Sequence, residues 1–385
     1  MDARPPRPLA NQDQTTWEAE MTATESAPVV NPEALEQLVG QVIADAGGAL
    51  TLPLALLGDR LGLFTTLASS GPVDPAALAA RTGLSERYLR EWLLAMAAAG
   101  YVTYDDGEGE TARYRLSAEQ AEAFTNPDSP AYVIGACQNL TAATRMLDRL
   151  TDAFRTGEGI GWHEHHPDMF VGTERFFRPG YLAHLTGEWI PALTGVPERL
   201  TAGGRVADVG CGLGASTIIM AQAYPASEFI GVDYHGPSIE LARTRAAEAG
   251  VADRVDFRVA GASDLVADPA GGYQLIAFFD CLHDMPDPLG ALRAARAAVA
   301  DDGRVMLVEP MSWDRVGDAL NPLGRLLAGA SLLVCLPSGL SGPPGAGLGN
   351  QAGPRRTCEL AREAGFSDAR VATSTDFNLV YELSP

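Results

Sequence analysis

Residues 205–217 read Arg-Val-Ala-Asp-Val-Gly-Cys-Gly-Leu-Gly-Ala-Ser-Thr. Val206 and Val209 fit a buried strand, Gly210, Gly212 and Gly214 a tight turn, and a helix opens at Ala215. A strand, a glycine turn and a helix in that order present a ligand site at the carboxyl end of a strand in a doubly wound α/β sheet. Glycine suits the turn because a Cβ would block both the bend and the close approach of backbone to ligand. The cluster alone leaves the ligand open, since Gly210, Gly212 and Ala215 also satisfy the dinucleotide pattern G-x-G-x-x-[GA]. Asp208 places a carboxylate at the strand end, where a bound cation such as an amino-acid ammonium would lie; a nicotinamide has no obvious use for it. A second apolar strand, Phe229-Ile230-Gly231-Val232, ends in Asp233. An acidic residue about twenty positions on is the usual acceptor for ribose hydroxyls and suits both ligands.

From residue 201 to 310, strand and helix patterns alternate. Strands are expected near 205–209, 228–232, 255–259, 274–279 and 304–308, and helices near 215–223, 237–249 and 288–300. Pro288 after Asp287 starts the last helix, and Asp302-Gly303 marks the turn after it. Short loops between such elements imply right-handed crossovers and a parallel sheet. A helix ending at Gly365 and two strands near 369–374 and 378–383 predict an antiparallel C-terminal hairpin, which a simple Rossmann dehydrogenase lacks. The expected fold is therefore α/β: a Rossmann-like sheet with a C-terminal antiparallel hairpin, preceded by a mostly helical winged-helix domain.

Residues 1–30 are polar and proline-bearing and predict a disordered tail. Residues 33–70 predict helix, with Leu52 to Leu67 too apolar for a solvated face. Residues 74–116 predict a winged helix-turn-helix within a domain spanning 31–130. Asp74-Pro75 caps a first helix, Thr82-Gly83-Leu84 turns, and Ser85 caps a second helix buried through Tyr88, Leu89, Trp92, Leu93 and Met96. Two strands then flank an acidic wing, Asp105 to Glu110. Residues 131–200 are expected to form a helical linker and cap. They contain Gly161-Trp162-His163-Glu164-His165-His166-Pro167, whose spacing does not match H-E-x-x-H, because Pro167 takes the second ligand's place. No metal is expected. Residues 318–354 suggest either a lid over the ligand side of the sheet or an inert connection.

Charge narrows the partners. The formal net charge is −21, all 28 basic residues are arginine, and the wing is acidic where it would meet phosphate. Nucleic acid and anionic membrane are therefore not expected as partners. Five scattered cysteines without a C-x-x-C argue for a reducing compartment and against a zinc site. No apolar run approaches the ~18 residues of a membrane span, and no signal peptide is evident. A cytoplasmic protein is expected.

The ordered motifs resemble class I S-adenosylmethionine (SAM) methyltransferases. The resemblance rests on Asp208 to Gly214, Val232-Asp233, Ala262-Ser263-Asp264, Phe278-Phe279-Asp280-Cys281-Leu282-His283-Asp284 and Asp302 to Glu309, and covers about half the chain. With the winged helix, the chain is most similar to bacterial O-methyltransferases. The resemblance implies a domain at 201–385 that binds SAM, and a homodimer formed through the N-terminal domain. It implies that Gly210, Cys211, Gly212 and Gly214 lie near the methionine amino-acid group with Asp208 close by. Asp233 would meet the ribose, Ser263 and Asp264 the adenine edge, and Phe279, Asp280 and Cys281 the methionine end, with Tyr234 a further cofactor-binding candidate. His283, of a His-Asp pair, would be the general base for a hydroxyl of a small-molecule acceptor. Trp162, His163, Phe176, Phe177 and Tyr181 are candidate substrate contacts. Three alternatives stay open: N- or C-methylation, or a SAM-fold enzyme without methyl transfer; a ligand-sensing winged-helix regulator; and a nicotinamide enzyme.

Overall fold

The computed structural model describes residues 29–106, 113–266 and 271–385. The expected tail, and the wing tip from 107 to 112, lie outside the described residues.

Residues 32–49 are helical, within the helix Pro32–Arg60, and leave Leu35, Leu38, Val39, Val42 and Ile43 exposed. From residue 50 onward the chain forms a second compact unit. The helical reading of 33–70 is interrupted at Gly62, whose φ of 65° starts the separate helix Leu63–Ser70. The winged helix-turn-helix follows as read. Asp74 accepts a hydrogen bond from the Ala77 amide, at 2.7 Å, to open helix Pro75–Thr82. Helix Glu86–Ala98 buries Leu89, Trp92, Leu93 and Met96. Tyr88 departs from the expected buried face and is 80 % exposed. Strands β1 (Thr103–Asp105) and β2 (Arg113–Arg115) pair antiparallel. Trp92 fixes the core by donating from Nε1 to the Leu54 carbonyl at 2.9 Å.

The remaining strands form one seven-stranded sheet: β3 (Arg205–Val209), β4 (Glu228–Asp233), β5 (Val255–Val259), β6 (Tyr273–Phe279), β7 (Val299–Pro310), β8 (Asp368–Ser374) and β9 (Asn378–Ser384). Their order is β5-β4-β3-β6-β7-β9-β8. β3 to β7 pair parallel, and β9 runs antiparallel between β7 and β8, giving the expected hairpin. The turn read at Asp302-Gly303 sits inside β7 as a bulge: Tyr273 faces Val299, but Leu275 faces Arg304. Alternating residues feed the two faces, with Val206 in one apolar core and Ala207 and Val209 in the other.

Helix Pro167–His184 joins the two domains. Its Arg175 grips Asp59 through two nitrogens, at 3.0 and 3.1 Å. Helix Ile134–Ala143 crosses it so closely that a Cβ on Gly135 would lie 2.3 Å from the Phe176 amide nitrogen. This contact sets the position of Phe176 and Phe177.

One expectation is corrected. Two helices are long and apolar enough to cross a membrane by length and composition alone, Pro32–Arg60 and Pro322–Gly339. The second is read as continuous only because a π turn, Ser331–Cys335, carries the helix on from Ala330. It is partly buried and lines the cavity described next.

Candidate active site

A cavity of about 550 Å³ opens beyond the carboxyl ends of β3, β4 and β6. The glycine turn forms one wall. Amides of Gly210 and Cys211 donate to the Val232 carbonyl, at 2.8 and 3.1 Å, tying the turn to β4. All three glycines have positive φ, but a Cβ would meet different surroundings at each. A Cβ on Gly210 would meet Cys281 Sγ at 2.7 Å, and one on Gly214 would meet Phe257 at 2.7 Å. A Cβ on Gly212 would meet nothing within 4 Å, and Gly212 lines the cavity. The bare backbone there forms a cradle that a methyl group would fill.

Asp233 lines the same wall and is nearly buried. Its two oxygens accept from the Gly212 and His235 amides, at 2.9 and 2.8 Å, which aims the carboxylate at the turn. Burial raises its pKa from the ordinary aspartate value, against the pull of those amides. Cys211, Tyr234 and Ser263 also line the cavity. Asp264 does not; its carboxylate turns back to the Gly261 amide at 3.2 Å.

Asp208 is also absent from the lining. It shares the Val206 face of the sheet, so its side chain points beneath helix Ala215–Ala223. There Oδ2 accepts from Ser216 Oγ and Thr217 Oγ1, both at 2.6 Å, and Oδ1 has no hydrogen-bond partner. Burial pushes its carboxyl up to about 6, with the two hydroxyls opposing. Its role in this structure is to anchor the first turn of the helix that follows the glycines.

The opposite wall carries His283, on a short 3-10 turn, Leu282–Asp284, just past β6. The ring is buried. Its Nδ1 is bonded to Glu309 Oε2, and its Nε2 lies 3.1 Å from Asp284 Oδ1. Burial alone lowers the pKa of the ring, but the carboxylates of Glu309 and Asp284 outweigh it and hold the pKa well above the ordinary histidine value. The 340–353 loop packs against this turn: the amides of Gly349 and Ala346 donate to the carbonyls of His283 and Pro286, at 3.2 and 2.9 Å. Cys335 reaches the same place, so that donor atoms of His283, Asp284 and Cys335 lie within 4.8 Å of one another. Nδ1 of His283 is taken by Glu309, Asp284 is the carboxylate beside Nε2, and burial holds the Cys335 thiol protonated, with its pKa pushed up to about 12.

Between the walls sits Asp280. It has a φ of 50°, rare for a residue with a side chain. The strain is compensated by two contacts: Tyr181 Oη donates to Oδ2 at 3.1 Å and Asn378 Nδ2 to Oδ1 at 2.8 Å. Burial, then the nearby Glu309, push its pKa well above the carboxylate range. Phe279 and Cys281 flank it in the lining, with the Cys281 thiol donating to the Val209 carbonyl at 3.2 Å.

Trp162, His163, Phe176, Phe177 and Tyr181 all line the cavity. Tyr234 Oη accepts from the His163 amide at 3.2 Å, tying the 161–166 turn to the end of β4. His165 does not reach the lining; it is buried, and neither ring nitrogen has a partner. Sequence reading gave no role to Glu309, Asn378, Phe377, Cys335 or Ser338. Glu309 alone had a local signal, an acidic residue ending the apolar run Val305–Val308. A base-like histidine and a glycine cradle thus share one largely apolar cavity.

Residues 48–126 match the Rv2258c-like winged HTH domain, and residues 181–334 match a methyltransferase domain. The ubiquinone biosynthesis O-methyltransferase of Bordetella avium (strain 197N) is 36 % identical over 118 residues, 31 % of this chain and 46 % of that protein. The enzyme of the same name from Xanthomonas axonopodis pv. citri (strain 306) is 33 % identical over 106 residues, 28 % of this chain and 43 % of that protein. The chain therefore spans less than half the length of these curated relatives. Among solved structures, mitomycin 7-O-methyltransferase MmcR aligns with a TM-score of 0.69 at 20 % identity, covering 92 % of this chain and 100 % of that one. Human N-acetylserotonin methyltransferase in complex with SAM aligns at 0.67 and 18 % identity, covering 93 % and 99 %. PigF with SAH aligns at 0.66 and 21 % identity, covering 93 % and 100 %. At these identities the likeness shows a shared fold.

Proposed function

We propose that this chain, a winged helix-turn-helix domain followed by a methyltransferase domain, moves a methyl group from SAM to a small-molecule acceptor, with a hydroxyl oxygen as the nucleophile. The observation that carries the reading is that the glycine cradle and His283 face one cavity. When bound, SAM supplies an electrophilic methyl group on a sulfonium. The protein's own work is to align a nucleophile and exclude water.

The residues fit that cofactor. Gly212 leaves room for a ligand against its backbone, and Asp233, oriented by two amides, is suited to ribose hydroxyls. Tyr234 and Ser263 extend this wall, and Phe279, Asp280 and Cys281 lie beyond the turn toward His283. His283 in its neutral form takes the hydroxyl proton. Glu309 orients the ring through Nδ1, and with Asp284 it stabilises the imidazolium that results. A hydroxyl acceptor is favoured over an amine because a buried histidine at the reacting wall has its clearest use with a nucleophile that must lose a proton.

A homodimer is the proposed assembly, supported by the exposed apolar positions of the first helix. A cytoplasmic setting is supported by five free cysteines. The regulator reading is disfavoured because Arg87 and Arg90 of the second winged-helix helix are each engaged by a glutamate one turn away, Glu91 and Glu86.

Calorimetric titration with SAM and S-adenosylhomocysteine, on wild type and Asp233→Ala, tests the reading. Tight binding that the substitution strongly weakens supports it. No binding to wild type at ~1 mM, equivalent to about −4 kcal/mol, rules it out.

A further inference from the structure

We infer that the acceptor enters this cavity without negative charge: hydroxylated ring compounds that are neutral or cationic are bound, and carboxylated, sulfonated or phosphorylated ones are excluded. The inference rests on the methyl-transfer reading and narrows its substrate class.

Charge is distributed one-sidedly. The chain has no lysine, and among the described residues no arginine lines the cavity. Five carboxylates line it: Glu174, Asp233, Asp280, Asp284 and Asp287. Four are already held. Glu174 pairs with Arg245 at 2.7 Å, and Asp287 caps a helix through the Gly290 amide at 2.8 Å. Asp233 and Asp280 take the amide, tyrosine and asparagine donors described above. The fifth, Asp284, sits at the reacting wall. His283 does not reverse the sign there, because one imidazolium between Glu309 and Asp284 leaves the trio net negative. An anion taken out of water needs a counter-charge, and among the described residues the only basic side chain lining the cavity besides His283 is His163, with no lysine or arginine beside it.

The rest of the acceptor side agrees. Leu326, Leu327, Ala330 and Val334, from the 322–339 helix, give it an apolar surface. Phe176 and Phe377 meet edge to face, with centroids 5.2 Å apart, and their π faces favour cations and ring edges over anions. Ser338 Oγ is buried, lines the cavity and lacks a partner, so one uncharged polar group on the ligand can be received there.

The test is ligand-observed NMR on the full chain, with naphthol, tyramine and hydroxynaphthoic acid as probes at up to ~1 mM, a range that detects weak binding. Naphthol and tyramine are expected to bind at least about tenfold more tightly than the acid. Equal or tighter binding of the acid overturns the inference, and so does absence of binding by all three. Leu326→Arg is the second variant; Leu326 lines the cavity yet is 40 % exposed, so the change is compatible with folding. A guanidinium there should raise affinity for the acid about tenfold, and an unchanged affinity refutes the charge explanation. S-adenosylhomocysteine is titrated into the same samples. Loss of that binding with probe selectivity intact sinks the methyl-transfer reading, whereas loss of selectivity with cofactor binding intact sinks only this one.

Discussion

Nδ1 of His283 is bonded to Oε2 of Glu309, a residue 26 positions later near the end of β7. The bond spans two neighbouring parallel strands, because His283 follows β6 and β6 pairs with β7. It commits one ring nitrogen and leaves Nε2, beside Asp284, as the nitrogen available for proton exchange. Glu309 also raises the ring's affinity for a proton.

A pH dependence follows with a definite sign. A base must be neutral to accept a proton, and this ring holds its proton to a pH above the ordinary value of about 6.5. kcat should therefore rise with pH through an apparent pKa above that value. His283→Ala should lower kcat by roughly 10²–10⁴-fold. Glu309→Gln should lower it less and move the acid limb to lower pH, because a carboxylate that favours the imidazolium is gone. Rate profiles across pH on the three proteins check this, and an acid limb unmoved in Glu309→Gln contradicts the assignment.

Asp208 carries a cost that a titration can expose. Its folded pKa is about 6, against 3.8 ordinarily, so the folded state disfavours the ionised form. In the unfolded chain the group ionises earlier. Stability from this group is thus lost as pH rises from about 4 to 6, and it returns on acidification through that window. Asp208→Asn removes the buried charge and should raise the stability of the cofactor-free protein at neutral pH, on the order of 1–3 kcal/mol. Thermal melts at pH 5 and pH 7.5 compare the two proteins; a gain that does not shrink at the lower pH would argue against a charge effect.

Gly212 and Gly214 should respond differently to an added Cβ, because one faces open space and the other the ring of Phe257. Gly212→Ala places a methyl in the open cradle at a φ of 51°, a backbone cost of roughly 1–2 kcal/mol. Its main effect should be at least about tenfold weaker SAM affinity. Gly214→Ala drives a Cβ against Phe257 and should mainly lower the melting temperature. Calorimetry and melting on both variants would show whether the two effects separate.

The exposed face of the first helix makes its own prediction. Leu38 and Val42 are 57 % exposed each and stand four residues apart on the helix. Replacing both with aspartate should convert a homodimer to monomer in sedimentation velocity while leaving the melting of the remaining unit largely intact. A wild type that sediments as a monomer at all concentrations would remove the dimer from the proposal.

What the sequence by itself determined was local in origin. Turn glycines, the Asp74 and Asp287 caps, and alternating apolar runs act over a few residues, so the sheet class and most strand limits could be read directly, but not the start of β7 at Val299, which reaches back past the expected turn. The glycine turn, Asp233, His283 and the aromatic residues of the cap were equally legible, and they converge on one cavity. What tertiary structure decided was which side chains meet. Strand register brings Glu309 to His283, and the C-terminal hairpin brings Asn378 to Asp280 across 98 residues. Face alternation turns Asp208 under its helix, though its position in the motif had suggested the ligand. The physical reason is that a pleated strand sends neighbouring side chains to opposite faces, while contacts between strands depend on a register that no short stretch encodes.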